Sequence, residues 1–118
     1  MQVVGVGTFC EQPGYWESYP EQLGGSPLSI ESPEISLEQQ DRSRYICSNW
    51  KTIISQCLSY VEARRADYGL LAKSFTGPGV FIQSGEAWSI YFDTDYEYEA
   101  VVGVEFRGTQ PFQLIIGD

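Results

Sequence analysis

The sequence predicts an α+β fold: a single domain, residues 1–118, in which one long helix packs against an antiparallel meander sheet of four or five strands. Two observations predict it. Apolar residues recur at steps of three and four along residues 36–67, and β-rich segments separated by turn residues follow along residues 79–118. With 118 residues, 42% of them hydrophobic, the chain can build one core but is too short for two domains.

The first part of the chain is predicted to be a strand followed by a loop. Residues 1–9 include QVVGVGTF, a Val-rich segment typical of a short β-strand. Residues 10–35 mix Pro, Gly, Ser and acids with aromatic side chains, and this composition predicts a long acidic aromatic loop. Long ordered loops are often functional, although a disordered segment is the competing interpretation.

The helix over residues 36–67 has the strongest periodic signal in the chain. Ser36 and Gln39 fit a capping box, which marks the start of a helix. We expect the helix to end before Gly69, with a break near Asp41. Its apolar stripe is made of Ile46, Trp50, Ile53, Ile54, Cys57, Leu58 and Val61.

The segment 79–118 is predicted to be a β-meander. It contains four β-rich stretches, GVFIQS, AWSIYF, YEYEAVVGVEF and PFQLIIG, with turn residues between them. Alternate residues in these stretches are apolar, so one face of the sheet should lie against the helix. The residues predicted for this inner face are Trp88, Ile90, Phe92, Ala100, Val102, Val104, Phe106, Phe112, Leu114 and Ile116.

A row of alternating acids lies where the second and third strands of the meander are expected to meet. The carboxylate row consists of Asp93, Asp95, Glu97 and Glu99, with Tyr96 and Tyr98 between them. In an extended chain alternate side chains share one face, so all four carboxylates would lie together. On the predicted hairpin, Asp93 and Asp95 fall in the turn and Glu99 on the outer face of the next strand. We therefore expect these carboxylates to be exposed.

The formal net charge of −9 is unevenly distributed. Residues 1–41 contain seven acids and no base, residues 42–73 six bases and two acids, and residues 74–118 seven acids and one base. A negative surface disfavours nucleic acid and anionic membranes as partners and favours a basic protein. The charge thus indicates the class of partner.

The three cysteines indicate a reducing compartment. Their number is odd, and Cys47 and Cys57 lie in one predicted helix, about 15 Å apart and beyond disulfide reach. No apolar run approaches the ~20 residues needed to cross a bilayer, and the N-terminus lacks the pattern of a signal peptide. We expect three free thiols in a protein that stays in the cytoplasm.

The lack of histidine argues against most catalytic and metal sites. Histidine is the commonest general base and the partner of nucleophilic Ser and Cys, and the chain has none. The segment DTDYEYE begins like a calcium loop, but Tyr98 stands where that loop needs glycine and Val104 where it needs glutamate. We therefore predict no catalytic residue, no metal and no cofactor. A small enzyme that uses carboxylates or Cys10 is the alternative from a different class.

Aromatic residues flanked by acids favour a protein-binding surface. Tyrosine and tryptophan are enriched at the energetic centres of interfaces, and acids accelerate association with a basic partner. The competing interpretation is that Trp16 and Tyr19 fold back and cover the core. The predicted partner-binding residues are Tyr15, Trp16, Glu17, Tyr19, Asp93, Asp95, Tyr96, Glu97, Tyr98 and Glu99.

In overall pattern, a small acidic chain with a helix leading into WSIYF…YEYEAVVGVEF…PFQLIIGD resembles the immunity proteins of polymorphic toxin and contact-dependent growth-inhibition systems. The resemblance lies mainly in residues 80–118 and transfers no site residue. It implies a non-catalytic inhibitor that covers the active site of a basic cognate toxin domain, often a nuclease, in the bacterial cytoplasm. An acidic nucleic-acid mimic, or an adaptor for another basic protein, is the alternative among binding proteins.

Overall fold

The structure, a computed structural model, describes residues 1–117 and has an α+β fold with two helices and a mixed sheet of seven strands. The helices are α1 (Leu37–Ser48) and α2 (Trp50–Tyr68). The strands are β1 (Gln2–Val3), β2 (Gly7–Thr8), β3 (Cys10–Gln12), β4 (Tyr15–Ser18), β5 (Leu28–Ile30), β6 (Phe75–Ile82), β7 (Ala87–Thr94), β8 (Val101–Arg107) and β9 (Gln110–Gly117). Two short 3-10 helices cover Glu21–Leu23 and Glu97–Glu99.

The seven-stranded sheet has the order β3-β4-β5-β6-β7-β8-β9. Strands β5 and β6 pair in parallel, and every other neighbouring pair is antiparallel. A parallel pair needs a long crossover connection, and α1 and α2 form it. The predicted meander is confirmed as β6 to β9, and Asp118 lies outside the described residues. The predicted sheet of four or five strands was too small.

Residues 10–35 form three strands instead of the predicted loop. Strands β3 and β4 make a hairpin around Pro13 and Gly14, while Leu28 and Ile30 of β5 are both 0% exposed. The Pro and Gly residues that suggested a loop occupy turns between strands of only three or four residues. Such short strands show too little alternation to be recognised from sequence. Residues 1–9 likewise form a hairpin, β1 with β2, where one strand was predicted.

The helical region begins as predicted but divides into two helices. Gln39 donates its backbone N–H to the Ser36 hydroxyl at 3.1 Å, and Ser36 donates its own to the Gln39 side-chain oxygen at 2.8 Å, which confirms the capping box. Helix α2 ends at Tyr68, immediately before Gly69. The break falls at Asn49 and not near Asp41, because Asn49 leaves helical geometry with φ −125° and ψ 23°.

The core lies between the helices and one face of the sheet. Most of the predicted inner residues are confirmed as buried, and Trp88, Ile90 and Val104 are each 0% exposed. Leu58 is an exception on α2, at 39% exposed, and Phe112 is an exception on β9, at 52% exposed. Strand β9 changes register opposite Glu105 and Phe106, so the simple alternation that placed Phe112 inside does not hold there. The remaining predicted positions are half-buried: Ala100 in the β7–β8 connection, and Trp50, Ile54 and Ile116 against the core.

Candidate functional site

The helices cover one face of the sheet and leave the other face open. In β7, Trp88, Ile90 and Phe92 are buried in the core, so the residues between them point away from the helices. We call the side opposite the helices the open face. Its main side chains are Tyr15, Glu17, Glu31, Phe81, Tyr91, Asp93, Val101, Glu105, Arg107, Gln113 and Ile115.

An aromatic pair occupies the middle of the open face. The ring centroids of Phe81 and Tyr91 are 5.5 Å apart and the rings are nearly perpendicular, at 88°. Tyr91 pairs with Gly103 across the strands, and a Cβ added at Gly103 would lie 2.6 Å from its ring carbon Cε1. The Tyr91 ring therefore lies over the bare backbone of β8, and only glycine at position 103 leaves room for it.

A concavity of about 470 Å³ opens beside this aromatic pair. It is lined by Glu31, Gly77, Gly79, Phe81, Gln83, Tyr91, Phe92, Asp93 and Val101. Gly77 has a φ of +57°, in the left-handed region that favours glycine, and a Cβ built there would lie 3.0 Å from Asp93 Oδ2. The Asp93 carboxylate thus packs over glycine backbone at the edge of the concavity.

The open face is more acidic than basic. Arg107 is its one base among the described residues, and its guanidinium pairs with Glu105 at 3.3 Å and lies 4.8 Å from the Phe112 ring centroid. Within residues 1–117, neither Glu31 nor Asp93 forms an ion pair or a side-chain hydrogen bond. The open face therefore carries negative charge that the chain itself does not neutralise.

The first group of predicted binding residues divides between the two faces. Tyr15 and Glu17 lie on the open face, and Tyr19, 63% exposed, donates its hydroxyl to Glu17 at 3.1 Å. This hydrogen bond raises the pKa of the Tyr19 phenol. Trp16 points the other way, packs against the core and donates its indole N–H to the Pro33 carbonyl at 3.2 Å. Folding back onto the core is confirmed for Trp16, whereas Tyr19 is exposed.

The carboxylate row is not one extended segment. Strand β7 ends at Thr94 and Glu97–Glu99 forms a 3-10 helix, so the four acids do not share a face. Asp93 alone lies on the open face. The expectation that Glu99 is solvated was wrong, because its side chain is buried at 9% exposed.

Asp95 and Glu99 instead hold the connection between α2 and β6. One Glu99 oxygen accepts the backbone N–H groups of Leu71 and Ala72 at 2.9 and 2.7 Å. Asp95 accepts the backbone N–H groups of Lys73 and Ser74 at 2.8 and 3.1 Å. These backbone donors lower the pKa of Asp95, so its contribution to stability is complete at neutral pH and is lost as pH falls through that lowered pKa.

The remaining predicted residues, Tyr96, Glu97 and Tyr98, lie in the connection between β7 and β8. Glu97 is exposed, Tyr98 is 69% exposed and Tyr96 is half-buried. The two tyrosine rings pack edge to face with centroids 5.4 Å apart. The structure does not bring these three residues onto the open face.

The binding residues predicted from the sequence do not include Glu31, Phe81 or Tyr91. Phe81 and Tyr91 are large aromatic residues at outward positions of strands whose inward positions are buried. That alternation could have identified both. Glu31 follows β5, which lies in the predicted loop, so no sequence signal placed it on the open face.

Burial makes two of the three thiols unreactive. It raises the pKa of Cys47 to about 11 and that of Cys57 to about 12, so both stay protonated at neutral pH. Cys10 is exposed on the edge strand β3. All three cysteines are free.

We expect a thiol reagent at neutral pH to label Cys10 rapidly in the folded protein and to label all three cysteines after unfolding. Mass spectrometry of the folded and denatured samples under non-reducing conditions measures both numbers. Recovery of a single reactive thiol from the denatured monomer would reveal a disulfide and contradict the structure. A Cys10→Ser variant, which should show no rapid labelling when folded, is the control.

Comparison of the chain with known protein families, curated proteins and solved structures found no match. Among residues 1–117, no group of three or more Asp, Glu or Cys side chains is arranged to hold a metal ion. Neither α1 nor α2 is long and apolar enough to cross a membrane. The acids and aromatic rings of the open face are the strongest indication of a binding role.

Proposed function

We propose that this chain is a non-catalytic inhibitor that binds and neutralises a basic toxin domain, in the manner of bacterial immunity proteins. The observation that supports the proposal is the open face, where aromatic side chains and uncompensated acids lie together on a sheet. The partner would be the cognate toxin domain, a nuclease, and binding would occur in the cytoplasm of the cell that makes both proteins.

The residue types of the open face suit a protein interface. Tyrosine and phenylalanine bury large areas at the centre of interfaces, and Tyr91 and Phe81 are already fixed in place by packing. Because they are ordered before binding, little conformational entropy would be lost on association. Glu17, Glu31 and Asp93 around them would attract a basic partner.

The same surface explains how binding would inhibit. A nuclease binds the phosphates of its substrate in a positively charged groove. An acidic face seated in that groove would exclude the substrate sterically and neutralise the charge that attracts it. Inhibition would then be stoichiometric, one inhibitor for each toxin domain.

The first experiment asks whether the partner is a toxin. The protein encoded by the neighbouring gene is expressed in a host cell with and without this chain, and growth is measured. We expect the neighbouring protein to arrest growth and this chain to restore it. If the neighbouring protein is basic and binds the chain but does not impair growth, the target is another basic protein and not a toxin.

Neutralising acids of the open face should slow association with that partner. We expect the double variant Glu31→Gln, Asp93→Asn to associate roughly threefold to tenfold more slowly and to show a weaker dependence on salt. Surface plasmon resonance at two salt concentrations measures both rates. Glu38→Gln with Asp67→Asn on the helices removes the same charge away from the open face and is the control. If both double variants slow association equally, the net charge of the protein determines the association rate and the open face has no special role.

A further inference from the structure

We propose that the concavity on the open face is a pocket for an arginine side chain of the partner. The guanidinium would lie against the rings of Phe81 and Tyr91, with the carboxylate of Asp93 towards one end of the concavity and that of Glu31 towards the other. The inference rests on the proposed function for the identity of the protein that carries the arginine. The pocket itself can be tested without that protein.

The size of the concavity suits one long side chain. Its volume of about 470 Å³ lies in the lower part of the range of roughly 300–1,000 Å³ found for sites that bind small ligands. Gly77 and Gly79 contribute no side chains to its lining, which leaves backbone where other residues would fill the space. A side chain projecting from a partner could enter because the concavity faces outward from the sheet.

The aromatic lining favours a cation. A guanidinium is attracted to the face of an aromatic ring when it lies within about 6 Å of the centroid. The chain makes this contact elsewhere, where the Arg42 guanidinium lies 5.1 Å from the Tyr45 ring centroid and 5.6 Å from that of Trp88. No base of the described chain lines the concavity, so its rings remain available to a cation from outside.

The two carboxylates complete the charge complementarity. Glu31 and Asp93 both line the concavity. Arg107, the base of the open face, is already paired with Glu105. An unpaired carboxylate at each end of a concavity lined by two aromatic rings matches a long side chain that ends in a positive, planar group rich in N–H donors.

These features favour arginine over lysine. The guanidinium is weakly hydrated, stacks on aromatic faces and can donate two parallel hydrogen bonds to one carboxylate. The lysine ammonium is a compact, strongly hydrated charge that stacks poorly. We therefore expect the pocket to prefer arginine when both side chains are offered at equal concentration.

Titration of the protein with N-acetyl-arginine amide, followed by NMR of the backbone amides, tests the pocket directly. We expect saturable shifts centred on Gly79, Tyr91 and Gly103, with a dissociation constant of about 1–10 mM for so small a probe. N-acetyl-lysine amide should bind several-fold more weakly, and N-acetyl-citrulline amide, which is neutral and nearly isosteric, at least tenfold more weakly. Equal shifts with the arginine and citrulline probes would overturn the proposal, and tighter binding of lysine would overturn the choice of arginine.

A variant that fills the concavity without changing charge separates shape from electrostatics. Gly79 is not in the positive-φ region, and a Cβ there would meet Pro27 Cγ at 3.6 Å, an ordinary contact. Gly79→Val should therefore fold and abolish detectable probe binding. Gly117→Val is the matched control, because a Cβ at Gly117 meets nothing within 4 Å and this residue of β9 does not line the concavity. Probe binding that survives Gly79→Val in a folded protein contradicts the proposal.

Parallel measurements with the toxin domain distinguish the two proposals. Binding of the arginine probe without any binding of a basic toxin leaves the pocket in place and refutes the proposed function. Binding of the toxin to Gly79→Val as tightly as to the original chain, with no probe binding to the original, refutes the pocket and leaves the function standing. If both are correct, Gly79→Val should weaken toxin binding at least tenfold.

Discussion

Replacing Ile53 by alanine should lower the free energy of unfolding by about 2–5 kcal/mol, as truncation of a buried aliphatic side chain does. Ile53 is 0% exposed on α2 and belongs to the core between the helices and the sheet. The substitution removes apolar contact area and leaves a cavity that the surrounding side chains only partly fill. Equilibrium unfolding in urea measures the change.

Leu58→Ala is the matched control for this prediction. Leu58 lies on the same helix but is 39% exposed, so its truncation should cost at most about 1.5 kcal/mol. The difference between the two variants reports which side of α2 faces the sheet. Equal losses, or a larger loss at Leu58, would mean that α2 is rotated about its axis relative to the structure.

Long elements could be predicted from the sequence because their patterns repeat. The stripe containing Ile53 spans several helical turns, and the meander alternates over strands of seven or eight residues. Strands β3 to β5 have three or four residues each, and their turns carry the Pro and Gly that indicate loops. Their position in the sheet follows from pairing with distant segments, as β5 with β6, which local patterning does not reveal.

Only part of the candidate site could be predicted from the sequence, because local patterns place some of its residues and distant contacts place the others. Tyr15, Glu17 and Asp93 were predicted to bind a partner, and the structure places all three on the open face. The predicted hairpin placed Glu99 on the outer face of the strand after the turn, but Glu97–Glu99 forms a 3-10 helix and the Glu99 side chain is folded inward. The groups that Glu99 contacts are backbone N–H donors nearly 30 residues earlier, and backbone donors leave no signature in a sequence.

We expect Glu99→Ala to destabilise the protein by roughly 2–3 kcal/mol, although an exposed acid would be neutral on replacement. The Glu99 carboxylate accepts hydrogen bonds from the N–H groups of Leu71 and Ala72, and the side chain is buried. A buried donor that loses its acceptor costs about 1–3 kcal/mol, and the bond from Ala72 lies in the buried interior. The two donors together therefore account for the expected loss.

Two further variants are informative. Glu99→Gln distinguishes the loss of the hydrogen bonds from the loss of the charge, and Glu97→Ala is a control at a neighbouring acid. Glu99→Gln keeps an oxygen that can accept both N–H groups, so it should recover part of the stability that alanine loses, whereas a purely electrostatic role would make both variants equally costly. Glu97→Ala, at an exposed acid of the same 3-10 helix, should change the free energy of unfolding by less than about 0.5 kcal/mol. Hydrogen exchange should also accelerate at the amides of Leu71 and Ala72 in Glu99→Ala and stay slow in Glu97→Ala. Unchanged exchange in Glu99→Ala would show that Glu99 does not hold the α2–β6 connection, and the carboxylate row could again be considered a solvated surface.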